Sequence, residues 1–220
     1  NDNSDEHSPL KLADATYKVA KKNKIKCKIL DEKDLKELGM NLILGVSKGS
    51  RYPPRLVILE YHGNPKNKEK IAIVGKGITF DAGGINLKPS GKIETMKNDM
   101  AGAAAVLGTL ITASQLKIKK NIIGVMPLCE NMVGPTAQKP GDIVKSYSGI
   151  SVEISDTDAE GRLILGDAIA YTIKNFKPDI LIDLATLTGA MLIAIGEQAA
   201  GLYYNDEKLA QKLFEISKRT

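Results

Sequence analysis

Four apolar runs constrain this chain more than any other feature: RLVILEY at 55–61, IAIVG at 71–75, NIIGVMPL at 121–128 and DILIDLAT at 179–186. A strand with one wet face alternates polar and apolar residues, whereas near-continuous apolar strands need cover on both faces. Helical stretches lie between and beside them. Ser8 and Pro9 supply an N-cap and a first helical residue for a helix over 10 to about 22, and Asp31 caps a short helix that ends at Gly39. DMAGAAAVLGTLITASQL from Asp99 and the stretch 161 to about 176 read as helices, and Asp206 starts a last one. Residues 25–30 and 151–154 are shorter strands, GLYY at 201–204 follows the fourth run, and 76–98 carries too many breakers for regular structure. The pattern predicts an α/β fold with a mostly parallel central sheet, helices on both faces and a ligand site at the carboxyl ends of strands.

At 220 residues and 43% hydrophobic, the chain can bury one sizeable core, which predicts a single domain over 1–220. Its formal charge is +5, and the lysines gather in runs such as KKNKIKCK (21–28) and KNKEK (66–70) that read as solvated faces. With no tryptophan and 5% aromatic residues there is no stacking platform, so nucleic acid is not an expected partner. No apolar stretch is long and unbroken enough to span a bilayer. Cys27 and Cys129 are the only cysteines and no charged-then-apolar leader opens the sequence, which predicts a reducing, cytoplasmic setting. Cys27 reads as a structural thiol on a strand face. His7 and His62 stand apart in polar stretches. A zinc site built on imidazole or thiolate, and a nucleophile activated by histidine, are thereby excluded.

The charged residues fall where the apolar runs end. Lys76 and Asp81 lie in VGKGITFDAGG (74–84), Lys88 follows, Asp99 sits in MKNDM (96–100), and DTDAEGR (156–162) sets Asp158, Glu160 and Arg162 together before a helix. Carboxylates this dense stay ionised in a cleft only if cations offset their repulsion, and a pair of divalent ions would do so. Four carboxylates form a hard ligand set, suited to Mg, Mn, Co or Zn. GKG followed by GG suggests a phosphate loop at first sight, but the helix such a loop requires does not follow.

VGKGITFDAGG, LKP, MKNDMAGAAAVLG, ENM, PGDI, DTDAEGRLILGDA and DLATLTGA, in that order, closely resemble the leucyl aminopeptidase family of two-metal exopeptidases, also called cytosol aminopeptidases. The resemblance runs from about residue 39 to the end. It implies that Lys76, Asp81, Asp99 and Glu160 hold one metal and Asp81, Asp158 and Glu160 the other, with Asp81 and Glu160 bridging. It implies that Lys88 and Arg162 are the catalytic side chains, Arg162 through a bound bicarbonate. Met96 would line the pocket for the first side chain, and Thr186, Leu187, Thr188 and Gly189 would bind substrate backbone. The activity implied is release of the N-terminal residue, leucine and similar, from peptides with a free N-terminus, through a hydroxide shared by the metals, in a homohexamer. An N-terminal accessory domain and a further C-terminal stretch are expected to flank the residues in hand. Ala82 stands where the family usually has serine, and Asp156 where asparagine is commoner. A non-catalytic member serving as a binding module and a two-metal phosphoesterase are the alternatives.

Overall fold

The computed structural model describes residues 3–219. They form two compact units divided between Thr186 and Leu187. The first holds α1 (Pro9–Lys22), β1 (Lys26–Leu30), α2 (Glu32–Leu38), α3 (Asn41–Ser47), β2 (Arg55–His62), β3 (Lys70–Gly75), β4 (Gly77–Asp81), α4 (Ala101–Gln115), β5 (Asn121–Asn131), β6 (Ile143–Lys145), β7 (Ser151–Glu153), α5 (Glu160–Phe176) and β8 (Ile180–Leu184). Local signals set several boundaries. Asp31 accepts from the Asp34 N–H at 3.0 Å while Asp34 accepts from the Asp31 N–H at 2.9 Å, a reciprocal cap that opens α2. Gly39, at φ 73°, closes it in the left-handed conformation that only glycine adopts cheaply.

The central sheet runs β1-β2-β5-β3-β8, with β4 also on β5. It is a mixed sheet, which corrects the expectation of a mostly parallel one: β1 with β2 and β2 with β5 are antiparallel, whereas β5 with β3, β5 with β4 and β3 with β8 are parallel. β6 and β7 make a separate antiparallel pair. Apolar composition reports burial on two faces and is silent on strand direction. Direction follows from the connections: the turn after His62 reverses the chain without a crossover helix, so β2 runs opposite to β3, and β5 enters between them.

β5 is buried along all of its 11 residues, because helices cover both faces. On one side Leu35, Ile43, Ile164 and Tyr171 pack on Ile58, Val74, Ile123 and Val125. On the other, Leu12, Ala103, Val106 and Leu110 pack on Val57, Leu59, Ile122 and Met126. Successive β5 residues serve opposite cores, as a period of two requires. Residues 76–98 are more ordered than the breakers suggested, since β4 continues along β5 where β3 leaves off. Lys76 is the residue between these two strands. α4 approaches closely there: its Gly102 lies against the Leu184 carbonyl and the Lys76 N–H, where any Cβ would collide with backbone.

The second unit contains α6 (Ala190–Ile195) and α7 (Glu207–Ser217). Asp206 caps α7 by accepting from the Leu209 N–H at 3.0 Å, as expected from the sequence. GLYY at 201–204 forms no regular element. Among the described residues no helix is long and apolar enough to cross a membrane.

Candidate metal centre

Carboxylates and ammonium groups converge beyond the carboxyl ends of β3, β4, β5 and β8. Lys76, at the break between β3 and β4, is almost wholly buried, and its Nζ lies 2.8 Å from Asp99 Oδ2, 2.8 Å from Glu160 Oε1 and 3.1 Å from the Thr186 carbonyl. Asp81 ends β4. Glu160 is the first residue of α5, where the helix N-terminus favours a negative charge. Lys88 Nζ lies 3.0 Å from Asp81 Oδ2 and 2.7 Å from Asp158 Oδ1. Thr186 donates its hydroxyl to Asp99 Oδ1 at 2.7 Å. Two lysines thus face four carboxylates in two interleaved sets.

Burial dominates the electrostatics. It pushes Glu160 up to about 7, with Asp81 and Asp99 adding repulsion and Lys76 pulling the other way. Burial likewise raises Asp99 against the attraction of Lys76, and Asp158 against that of Lys88. Burial pulls Lys76 down, but Glu160 and Asp99 outweigh it and hold the ammonium above its ordinary value. Lys88 is raised too, the attraction of Asp158 and Asp81 overcoming its own desolvation. Each lysine therefore stays protonated beside its carboxylates.

The donor set fits metal. One oxygen each from Asp81, Asp158 and Glu160 lie within 4.8 Å of one another, which is a cation's coordination sphere in size. Asp99 Oδ2 and Asp158 Oδ1 are buried, meet an ammonium at ion-pair distance and accept no well-oriented hydrogen bond. Two monocations do not neutralise four carboxylates, and two dications would. An amine binds metal only without its proton, so Lys76 could serve as a donor here only as the free amine.

The structure brings together Lys76, Asp81, Lys88, Asp99, Asp158, Glu160 and Thr186. Arg162, two residues into α5 from Glu160, is exposed and makes no hydrogen bond or ion pair among the described residues. Met96 is half-buried in the short 3-10 turn Met96–Asn98 just before Asp99. Leu187, Thr188 and Gly189 belong to the second unit, where Thr188 Oγ1 accepts from the Ala190 N–H at 3.2 Å. Asp156 accepts from the Asp158 N–H at 2.8 Å and so shapes the turn that presents Asp158. Ala82 is buried; its N–H donates to the Asn131 carbonyl and its carbonyl accepts from the Lys88 N–H.

Three polar residues at the site escaped sequence reading. Thr157, fully buried, donates to the Gly83 carbonyl at 2.7 Å and accepts from the Asn86 N–H at 2.8 Å, while Asn86 Oδ1 accepts from the Thr157 N–H at 2.9 Å. This clasp fixes the 82–88 loop, whose Gly83 sits at φ 91°. Asn131, at the end of β5, reaches Asp81 and Glu160. An amide at the end of a mostly apolar strand, and a threonine inside DTDAEGR, were the available signals.

Residues 1–220 match the catalytic domain of the cytosol aminopeptidase family. The chain is 50% identical over 212 residues to the probable cytosol aminopeptidase of Nitrosospira multiformis, covering 96% of this chain and 41% of that protein. It is 48% identical over 213 residues to that of Nitrosomonas europaea, with 97% and 43% covered. Against that of Protochlamydia amoebophila it is 47% identical over 221 residues, with 100% and 44% covered. The chain belongs to the cytosol aminopeptidase family, and spans less than half the length of the curated relatives it matches.

Proposed function

We propose that the protein containing this chain is a metal-dependent aminopeptidase that removes N-terminal residues, leucine and similar, from peptides with a free N-terminus. The observation that carries this reading is the pair of buried carboxylate oxygens, on Asp99 and Asp158, that no neutral donor satisfies. Lys76, Asp81, Asp99, Asp158 and Glu160 would hold two divalent ions, Zn, Mn, Mg or Co. The chemistry such ions supply is Lewis acidity toward the scissile carbonyl and acidification of water at neutral pH.

Lys88 would leave Asp81 and Asp158 as these ligate, and its ammonium, less buried than that of Lys76, then donates to the carbonyl oxygen as charge develops there. A guanidinium stays protonated and cannot act as a base. Unpartnered Arg162 instead holds an anion, bicarbonate in this proposal, that moves the proton. Met96 would contact the first side chain, and Thr186, Leu187, Thr188 and Gly189 the substrate backbone. A cytoplasmic homohexamer is part of the same proposal, supported by the family relationship. The test is hydrolysis of a leucyl amide against a phosphoester by the full-length protein with added Mn or Zn. Amide hydrolysis alone is expected. Phosphoester hydrolysis alone, or neither, would overturn the reading.

A further inference from the structure

We infer that Asn131 is the positioning residue of this centre: its side-chain amide takes one oxygen of Asp81 and one of Glu160, so that the other oxygen of each faces the cation site. The inference rests on the metal-centre reading above and assigns a role to a residue outside the ligand set.

Asn131 is the last residue of β5 and is almost wholly buried. Its backbone is pinned from β4, because Asp81 pairs with it in the sheet and the Ala82 N–H donates to its carbonyl at 2.8 Å. Its Nδ2 lies 2.9 Å from Asp81 Oδ1, 3.0 Å from the Thr157 carbonyl and 3.5 Å from Glu160 Oε2. Two amide hydrogens serve three acceptors, so one is shared. Asp81 Oδ1 also accepts from the Gly83 N–H at 3.0 Å. That oxygen is saturated, and the other, Oδ2, is the one that meets the exchangeable Lys88 ammonium at 3.0 Å. Glu160 divides the same way: Oε2 toward the amide, Oε1 toward Lys76 at 2.8 Å.

Residue type matters here. A third lysine at this point would neutralise the carboxylates permanently and compete with a dication, and an acid would add to their repulsion. An amide supplies two N–H donors with no net charge. It orients both carboxylates while leaving their charge available to metal. Outer-shell partners of this kind typically change metal affinity 10- to 100-fold when lost.

In the intact protein, Asn131→Leu removes the donors at similar volume, and Asn131→Ser keeps one hydroxyl donor in a smaller side chain. Metal-free protein is titrated with Zn in competition with a chelating dye, with folding checked by circular dichroism and the Co(II) absorption spectrum recorded. Asn131→Leu should bind Zn about 10- to 100-fold more weakly than wild type and shift the Co(II) bands, with Asn131→Ser in between. Leucyl-amide kinetics should show kcat falling more than KM rises. If Asn131→Leu does not fold, Asn131→Ser decides. Wild-type Zn affinity and Co(II) spectrum in a folded variant, even one of lower thermal stability, would overturn the inference and leave the metal centre standing. Wild-type protein that takes up no metal would overturn both.

Discussion

Helix α5 carries two buried carboxylates two turns apart, and they are held by opposite means. Glu160, at the helix start, faces the Lys76 ammonium and the Asn131 amide. Asp167, in its middle and fully buried, accepts from the backbone N–H groups of Leu42 at 2.9 Å, Ile43 at 3.2 Å and Tyr147 at 2.8 Å. It caps the first turn of α3 from another helix, where Met40 offers no side-chain cap. Burial raises both carboxyls above the usual range. The difference lies in what can be exchanged. Backbone donors are fixed by the fold, so Asp167 is structural; an ammonium can lose its proton or swing aside, so Glu160 can trade its partner for a metal ion.

The sharpest way to break this comparison is to remove a carboxylate from the exchangeable set. Asp81→Ala or Glu160→Ala should abolish metal retention and activity together, and full metal occupancy in either, measured by elemental analysis, would end the assignment. Lys88→Ala comes next. It should keep its metal and lower kcat by roughly 10² to 10³; a change confined to KM would make Lys88 a binding residue only. Asp167→Ala should do the reverse, losing about 3 kcal/mol in denaturant unfolding through three stranded N–H groups, while folded protein keeps wild-type metal affinity. Metal lost in step with Asp167 would erase the contrast.

Acidity sharpens it further. Folded metal-free protein holds the Glu160 proton up to about pH 7, whereas unfolded chain releases it near ~4.3. The native state binds more protons in that window, so Glu160 makes metal-free protein less stable as pH rises through it. The Lys76 and Glu160 protons must both leave before metal binds, so affinity should fall about tenfold per pH unit above about pH 7 and about a hundredfold per unit below it. Titrations at successive pH values with no steepening below about pH 7 would refute the raised carboxyl. The smallest effect belongs to Asp156→Asn, which keeps the acceptor for the Asp158 N–H but removes an exposed charge beside it. Metal affinity should change by no more than about threefold, which the same dye competition measures.

Much of this was legible in the sequence because the signals are local. Asp31 and Gly39 bounded α2, the small-residue run placed α4, and the spacing of Lys76, Asp81, Asp99, Asp158 and Glu160 marked a charged site at strand ends. β4 went unseen among glycines because it pairs with the distant β5, and β6, which pairs with the nearby β7, is too short to show a pattern. α3 has neither a strong cap of its own nor a long amphipathic pattern, and takes its cap from Asp167, 125 residues away from Leu42.

The sequence by itself determined that several strands would be buried on both faces and that carboxylates and lysines would crowd together, because burial and charge are properties of residues in their order. Tertiary structure alone decided strand direction, which connections impose, and the division of labour among polar groups. Which lysine meets which carboxylate, which oxygen Asn131 takes and why Asp167 is structural all depend on distances between segments far apart in the chain. Electrostatic and hydrogen-bond energies are set by those distances, and no local pattern records them.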